Sequence, residues 1–200
     1  MHLFIITAFT RLHNDEQRNV ARAKELRESV DSVRRKVPTD TFIVINEGSS
    51  YVHEDTLGAD KVMYTDVRGW HKSQGDNWLF LTGWISEKDR LDLVTVSKLS
   101  GRYQLLEKFD WNMEPLEVVL ADVHPNEGLM NTRYFRFHRS MFEHVLTECY
   151  KINQEYAKSW HLPDIEHMMF RHKVFTAEQA TKKKLNVGGI CAADNLWRED

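Results

Sequence analysis

Three segments at the start of the chain restrict its fold more than any other feature. Leu3-Phe4-Ile5-Ile6-Thr7-Ala8 is an apolar run too short for a helix and rich in strand formers. Beyond a polar stretch from Thr10 to Asp15, apolar residues recur at Val20, Ala23, Leu26, Val30, Val33 and Val37. Those spacings put one stripe on a long helix. Asn14 or Asp15 caps its start and Pro38 ends it. Phe42-Ile43-Val44-Ile45 then reads as a second buried strand, closing on Asn46-Glu47-Gly48-Ser49-Ser50. Two strands joined by a helix of crossover length predict a right-handed unit with parallel strands.

The alternation continues along the chain. Lys61 to Tyr64 reads as a third strand, and a helix is expected from Asp76 or Asn77 to about Lys88. Leu93 to Val96 is a fourth strand, Glu117 to Ala121 a fifth and Thr132 to Phe137 a sixth. A second long helix covers Arg139 to Trp160, a short one starts at Pro163-Asp164, and Leu185 to Ala192 forms a last strand. Nothing marks a boundary, so residues 1–200 are expected to form one domain. The fold class expected is α/β, a Rossmann-like mixed, mainly parallel sheet flanked by helices.

Composition removes several classes. With 42% hydrophobic residues, 28% charged residues and a net charge of -3, the chain is neither disordered nor the basic kind that binds nucleic acid. No apolar stretch is long enough for a membrane span. The N-terminus has no basic segment followed by an apolar region and a cleavage site. Cys149 and Cys191 make no disulfide framework and no zinc set. These features lead to the expectation of a reducing, cytoplasmic location.

In open α/β sheets ligands bind beyond the carboxyl ends of the strands. Those ends carry Thr7 to Arg11, Asn46 to Ser50, Asp66 to Gly69, Lys98 to Tyr103 and Asp122 to His124. Arg11, Lys98 and Arg102 suit phosphate, arginine by its planar fork and lysine as a point charge. The usual dinucleotide, P-loop and hydrolase motifs are missing. The six tryptophans read mostly as core, with Trp70 in a Gly-flanked loop placed to face a sugar. Lys182-Lys183-Lys184 reads as a solvated face.

Lys98-Leu99-Ser100-Gly101-Arg102-Tyr103, at the end of a hydrophobic strand, resembles small GT-A-type glycosyltransferases of bacteria, phages and large DNA viruses. Ile6-Thr7-Ala8 with Arg11, Asn46 to Ser49, Gly75-Asp76-Asn77, Asn131 to Phe135 and Pro163 to His167 resemble further family segments in the same order. The resemblance implies a GT-A-like fold. It also implies transfer of a sugar from a UDP- or GDP-sugar donor to a carbohydrate-type acceptor, whether glycan, lipid or protein.

Thr7, Ala8, Arg11, Glu47, Lys98, Gly101 and Arg102 would then bind the donor. The chain departs from the family in having no D-x-D element. Either Lys98 and Arg102 neutralise the diphosphate directly, or Asp122 and His124 hold a divalent cation, Mn²⁺ or Mg²⁺, upon it. Glu166, and second Asp164, are the candidate bases for the acceptor hydroxyl. Their plainer role is to cap the short helix and oppose its dipole. A non-catalytic nucleotide- or glycan-binding domain on a degenerate GT-A fold is the alternative.

Overall fold

A computed structural model describes residues 1–10, 16–49, 55–90, 92–190 and 197–199. Its elements, in chain order, are β1 (His2–Ala8), α1 (Glu16–Lys36), β2 (Thr41–Glu47), β3 (Lys61–Tyr64), α2 (Lys72–Ile85), β4 (Thr95–Ser100) and β5 (Tyr103–Leu105). There follow β6 (Leu120–His124), β7 (Leu129–His138), a 3-10 turn (Arg139–Met141), α3 (Phe142–Lys158), α4 (Ile165–Arg171), β8 (Val187–Ile190) and β9 (Trp197–Glu199).

The larger sheet has six strands in the order β3-β2-β1-β4-β7-β6. The opening unit is as expected, since β1 pairs in parallel with β2 and also with β4. β3 extends the sheet in parallel beyond β2. β7 alone runs the other way, antiparallel to both β4 and β6. The molecule is therefore α/β, with a mixed, mostly parallel central sheet flanked by helices.

Both faces of β1 are covered, which is why its sequence is a continuous apolar run rather than an alternating one. Leu3 and Ile5 pack with Phe80, Trp84, Val96, Phe135 and Phe137 beneath α2, α3 and α4. Phe4 and Ile6 pack with Leu26, Val30 and Val33 of α1 and with Tyr134 on the opposite side. The α1 stripe thus holds from Leu26 onward, whereas Val20, expected within it, is 62% exposed. On the α1 side a second, three-stranded sheet in the order β5-β8-β9 packs close by, and Leu105 N donates to the buried Ser32 Oγ of α1 at 3.0 Å.

Several boundaries shift from their expected places, and the shifts bear on the site. β4 runs on to Ser100, so Lys98 lies inside a strand and not in the loop beyond it. β6 begins at Leu120 and includes Asp122 and His124. α2 starts four residues before Asp76, with the His71 ring accepting from Ser73 N at 3.3 Å as its cap. The tryptophans divide differently too: Trp84 and Trp111 are buried, whereas Trp70, Trp160 and Trp197 are exposed. Cys149 is buried and free, and burial pushes its thiol up. Cys191 lies outside the described residues.

Candidate functional site

The parallel strands end together, and β7 starts at the same edge because it runs against them. A chain of hydrogen bonds crosses this edge. Thr7 Oγ1, near the end of β1, donates to Asp76 Oδ1 of α2 at 2.7 Å. The other carboxylate oxygen of Asp76 accepts from Lys98 Nζ at 2.9 Å. The same ammonium donates to Ser100 Oγ at 2.6 Å and to the Thr132 carbonyl at 2.7 Å. Thr132 Oγ1 then donates to Glu166 Oε1 of α4 at 2.9 Å. Five elements, β1, α2, β4, β7 and α4, are joined by this one path.

Lys98 does not stand where it was expected. An ammonium has three donors, and all three are used within the protein while the side chain is 2% exposed. A cation enclosed in this way needs a counter-charge. Asp76 supplies it from 22 residues away in sequence. Lys98 therefore holds the edge together and is not free to meet a diphosphate. Thr7, engaged with Asp76, is likewise part of the framework. Asp76 and Thr132, which the sequence places only in a helix start and in family-like segments, are not among the residues expected at the site, although a lysine in a strand-like run already calls for a carboxylate partner.

The remaining donor-side residues also serve the edge. Glu47 is fully buried and accepts from Thr10 N at 3.1 Å, Thr10 Oγ1 at 2.8 Å and Ser49 N at 2.9 Å. Its carboxylate thus ties the segment after β1 to the segment after β2. The Ala8 carbonyl accepts from Gly48 N at 2.8 Å. Gly101 does mark a close approach, but to β1: a Cβ there would lie 3.0 Å from the Thr7 carbonyl oxygen and 3.2 Å from Ala8 Cβ. Arg102, half-buried, has no hydrogen bond or ion pair among the described residues, and it lies near Arg22 and Glu25. Burial raises the Glu25 carboxyl above the usual range, with Arg102 and Arg22 opposing the shift. Arg11 lies outside the described residues.

Beside this edge, where β6 and β7 meet α4 and the 177–185 segment, is a cavity of about 790 Å³. Asp122, His124, Asn131, Arg133, Glu166 and Lys184 all line it. Three residues expected from the sequence to be functional, Asp122, His124 and Glu166, therefore share one space. His124 Nε2 lies 2.8 Å from Asp122 Oδ2, and Asn131 Nδ2 donates to the same oxygen at 3.4 Å. Arg133 lies over the Tyr103 ring at 5.3 Å, which connects the cavity to the turn carrying Arg102. The Lys184 ammonium has no hydrogen bond or ion pair among the described residues, whereas Lys183 pairs with Glu114 at 3.3 Å. The lysine run that read as a plain solvated face thus borders the cavity.

Asp164 takes the plainer of its two roles. It caps α4, accepting from His167 N at 3.1 Å, and it holds the His167 ring at 2.6 Å. It is not among the cavity residues. Among the described residues no group of three His, Cys, Asp or Glu side chains is arranged to hold a metal. Asp122 and His124 offer one carboxylate and one imidazole, and a hard cation there would need phosphate or water oxygens to complete its shell.

No protein-family model matches the chain, and no curated protein matches it. Among the described residues no helix is long and apolar enough to cross a membrane.

Proposed function

We propose that the protein is a GT-A-like glycosyltransferase that moves a sugar from a nucleoside diphosphate donor, a UDP- or GDP-sugar, to a carbohydrate-type acceptor. The observation that carries this reading is the cavity in which the Glu166 carboxylate and the Arg133 and Lys184 cations line one space beside the edge of the sheet. Glycosyl transfer requires both kinds of group. An acceptor hydroxyl oxygen bonds to the anomeric carbon as the bond from that carbon to the diphosphate oxygen breaks. The hydroxyl proton passes to Glu166, held in place by Thr132 Oγ1. The electron pair leaves with the diphosphate, where Arg133, Lys184 and Arg102 oppose the growing negative charge. One displacement of this kind inverts the anomeric centre. If a divalent cation takes part, Asp122 and His124 are the residues to hold it, and it would supply further charge neutralisation at the diphosphate.

The second reading, a binding domain without turnover, draws on a different observation. Thr7, Lys98 and Glu47 are engaged by the protein itself, and Asp122 is bonded to His124. Thermal stabilisation by UDP, GDP and their sugar conjugates, with Mn²⁺ or Mg²⁺ and with chelator, tests the shared donor step, because a ligand of the native state raises the melting temperature. Arg102→Ala is expected to weaken donor binding by about 1.5–3 kcal/mol, the scale of a lost charge-assisted hydrogen bond. Glu166→Gln is expected to keep donor affinity and lose turnover, including slow hydrolysis of the donor. Donor binding with no turnover in the wild type favours the second reading. No nucleotide binding under any condition removes the transferase reading and leaves only the glycan-binding form of the second.

A further inference from the structure

A second, smaller cavity of about 170 Å³ is built from Gly69, Trp70, Gln74, Tyr156, Ala157 and Trp160. Two of its walls are indoles that water reaches freely, Trp70 at 41% and Trp160 at 65% exposure. Large aromatic side chains left open on a folded surface mark interaction sites. Trp70 is also held in place. Its ring packs on Trp78 with ring centroids 6.0 Å apart, and its backbone N–H donates to the Val67 carbonyl at 3.1 Å. Gly69, at φ +80, makes the turn that presents it. Tyr156 forms a fixed floor, stacked on the His71 ring at 5.1 Å with its hydroxyl donating to the Pro163 carbonyl at 2.6 Å.

The chemistry of the lining selects the ligand. No residue of the cavity is charged, so nothing in it answers a phosphate, and a nucleotide or nucleic acid would lack a counter-charge there. The side chain of Gln74, which is half-buried, has no hydrogen bond among the described residues, so its amide offers two donors and an acceptor. Flat aromatic faces flanking a neutral amide suit a pyranose ring, whose C–H face lies on an indole while neighbouring hydroxyls pair with the amide. The cavity also belongs to the same edge as Glu166. Tyr156 ends the approach along α3, and the charges of Asp164 and Glu166 are near enough to raise its phenol, which burial first pushes up to about 12.

We infer that Trp70, Trp160, Gln74 and Tyr156 form a carbohydrate-binding subsite that holds one sugar unit of a glycan acceptor. Its place in catalysis rests on the transferase reading, but its binding of sugar does not. Wild-type protein, Trp160→Ala, Trp70→Ala and Gln74→Ala are applied to an array of α- and β-linked oligosaccharides of glucose, galactose, mannose and N-acetylhexosamines. The strongest binder is then titrated by intrinsic tryptophan fluorescence. Trp160 is largely in solvent, so its removal leaves the fold intact. The inference expects a saturable fluorescence change in the wild type and an affinity lower by about tenfold or more in each tryptophan variant. No retained glycan, equal binding by wild type and Trp160→Ala, or displacement of the glycan by a free nucleoside overturns it. Donor-induced melting shifts on the same samples separate the two claims. Donor binding without glycan binding sinks the subsite alone, and glycan binding without donor binding sinks the transferase alone.

Discussion

Lys98 and Tyr134 are both buried polar side chains, and the difference between them is in their partners. Lys98 has every donor engaged, by Asp76, Ser100 and Thr132. Lys98→Met should leave the Asp76 carboxylate without its counter-ion and destabilise the protein by about 3–5 kcal/mol, the cost of breaking a buried ion pair from one side. Urea unfolding measures this, and adding Asp76→Asn should restore part of the loss; an unchanged midpoint in the single variant would mean that the pair is not enclosed. Tyr134, by contrast, has a buried hydroxyl without a hydrogen bond of ordinary geometry, although Ser97 is close enough to affect it. Burial raises its phenol from the ordinary 10.0 to about 12. The folded protein then keeps this proton where the unfolded chain releases it. The contribution is complete below pH 10.0 and is lost as pH rises to about 12. Tyr134→Phe should therefore cost little or nothing at neutral pH, since no bond is lost, and should flatten the decline in stability over that alkaline window.

At the scale of elements, the β5–β8 pair is the most tightly constrained contact around the site. A Cβ on Gly189 would lie 2.2 Å from the Arg102 carbonyl oxygen and 2.8 Å from Tyr103 Cα. Backbone, unlike the end of a flexible side chain, cannot move aside. Gly189→Ala should force β8 away from β5, destabilise the fold by about 1–3 kcal/mol, and disturb Arg102 as well. Urea unfolding and donor titration on one preparation check both effects; donor affinity that survives a large stability loss would detach Arg102 from the ligand. The same pair shows what the sequence made legible. β1, α1 and β2 could be read because each carries a local pattern, an unbroken apolar run or a 3.6-residue stripe. β8 falls within the strand expected over Leu185 to Ala192 despite its two successive glycines, but β5 is only three residues long and shows no strand preference, and the pairing of the two spans more than eighty residues of chain. Lys98 was misplaced for a related reason. Ser97, Lys98 and Ser100 look like a loop until Asp76 on α2 is in position to neutralise the lysine. Glu166 was readable as an acidic residue opening a helix, but its cavity partners Arg133 and Lys184 come from other parts of the chain.

For the whole molecule, charge distribution matters more than total charge. The chain carries a net charge of -3, which taken alone would repel a diphosphate. Several of its carboxylates, however, are paired within the protein: Asp76 with Lys98, Glu87 with Lys61 and Arg90, Asp60 with Arg34, and Glu114 with Lys183. Neither the Arg102 guanidinium nor the Lys184 ammonium has a hydrogen bond or ion pair among the described residues, so these two positive charges are left to meet an anion at the edge of the sheet and in the cavity beside it. A local field of this sign attracts anions despite the overall charge. Both side chains are accessible enough for salt to act on them, as it would not on an enclosed pair. Affinity for a nucleoside diphosphate should therefore fall steadily between about 0.02 M and about 0.5 M salt, over which the screening length contracts several-fold. Arg102→Ala and Lys184→Ala should each lower the affinity at low salt and reduce the slope. Lys183→Ala, which removes a lysine already paired with Glu114, should leave the slope nearly unchanged. Titration calorimetry across that salt series decides the matter. Equal slopes in all four proteins would mean that the diphosphate is held elsewhere, and that these accessible cations serve solubility and not the ligand.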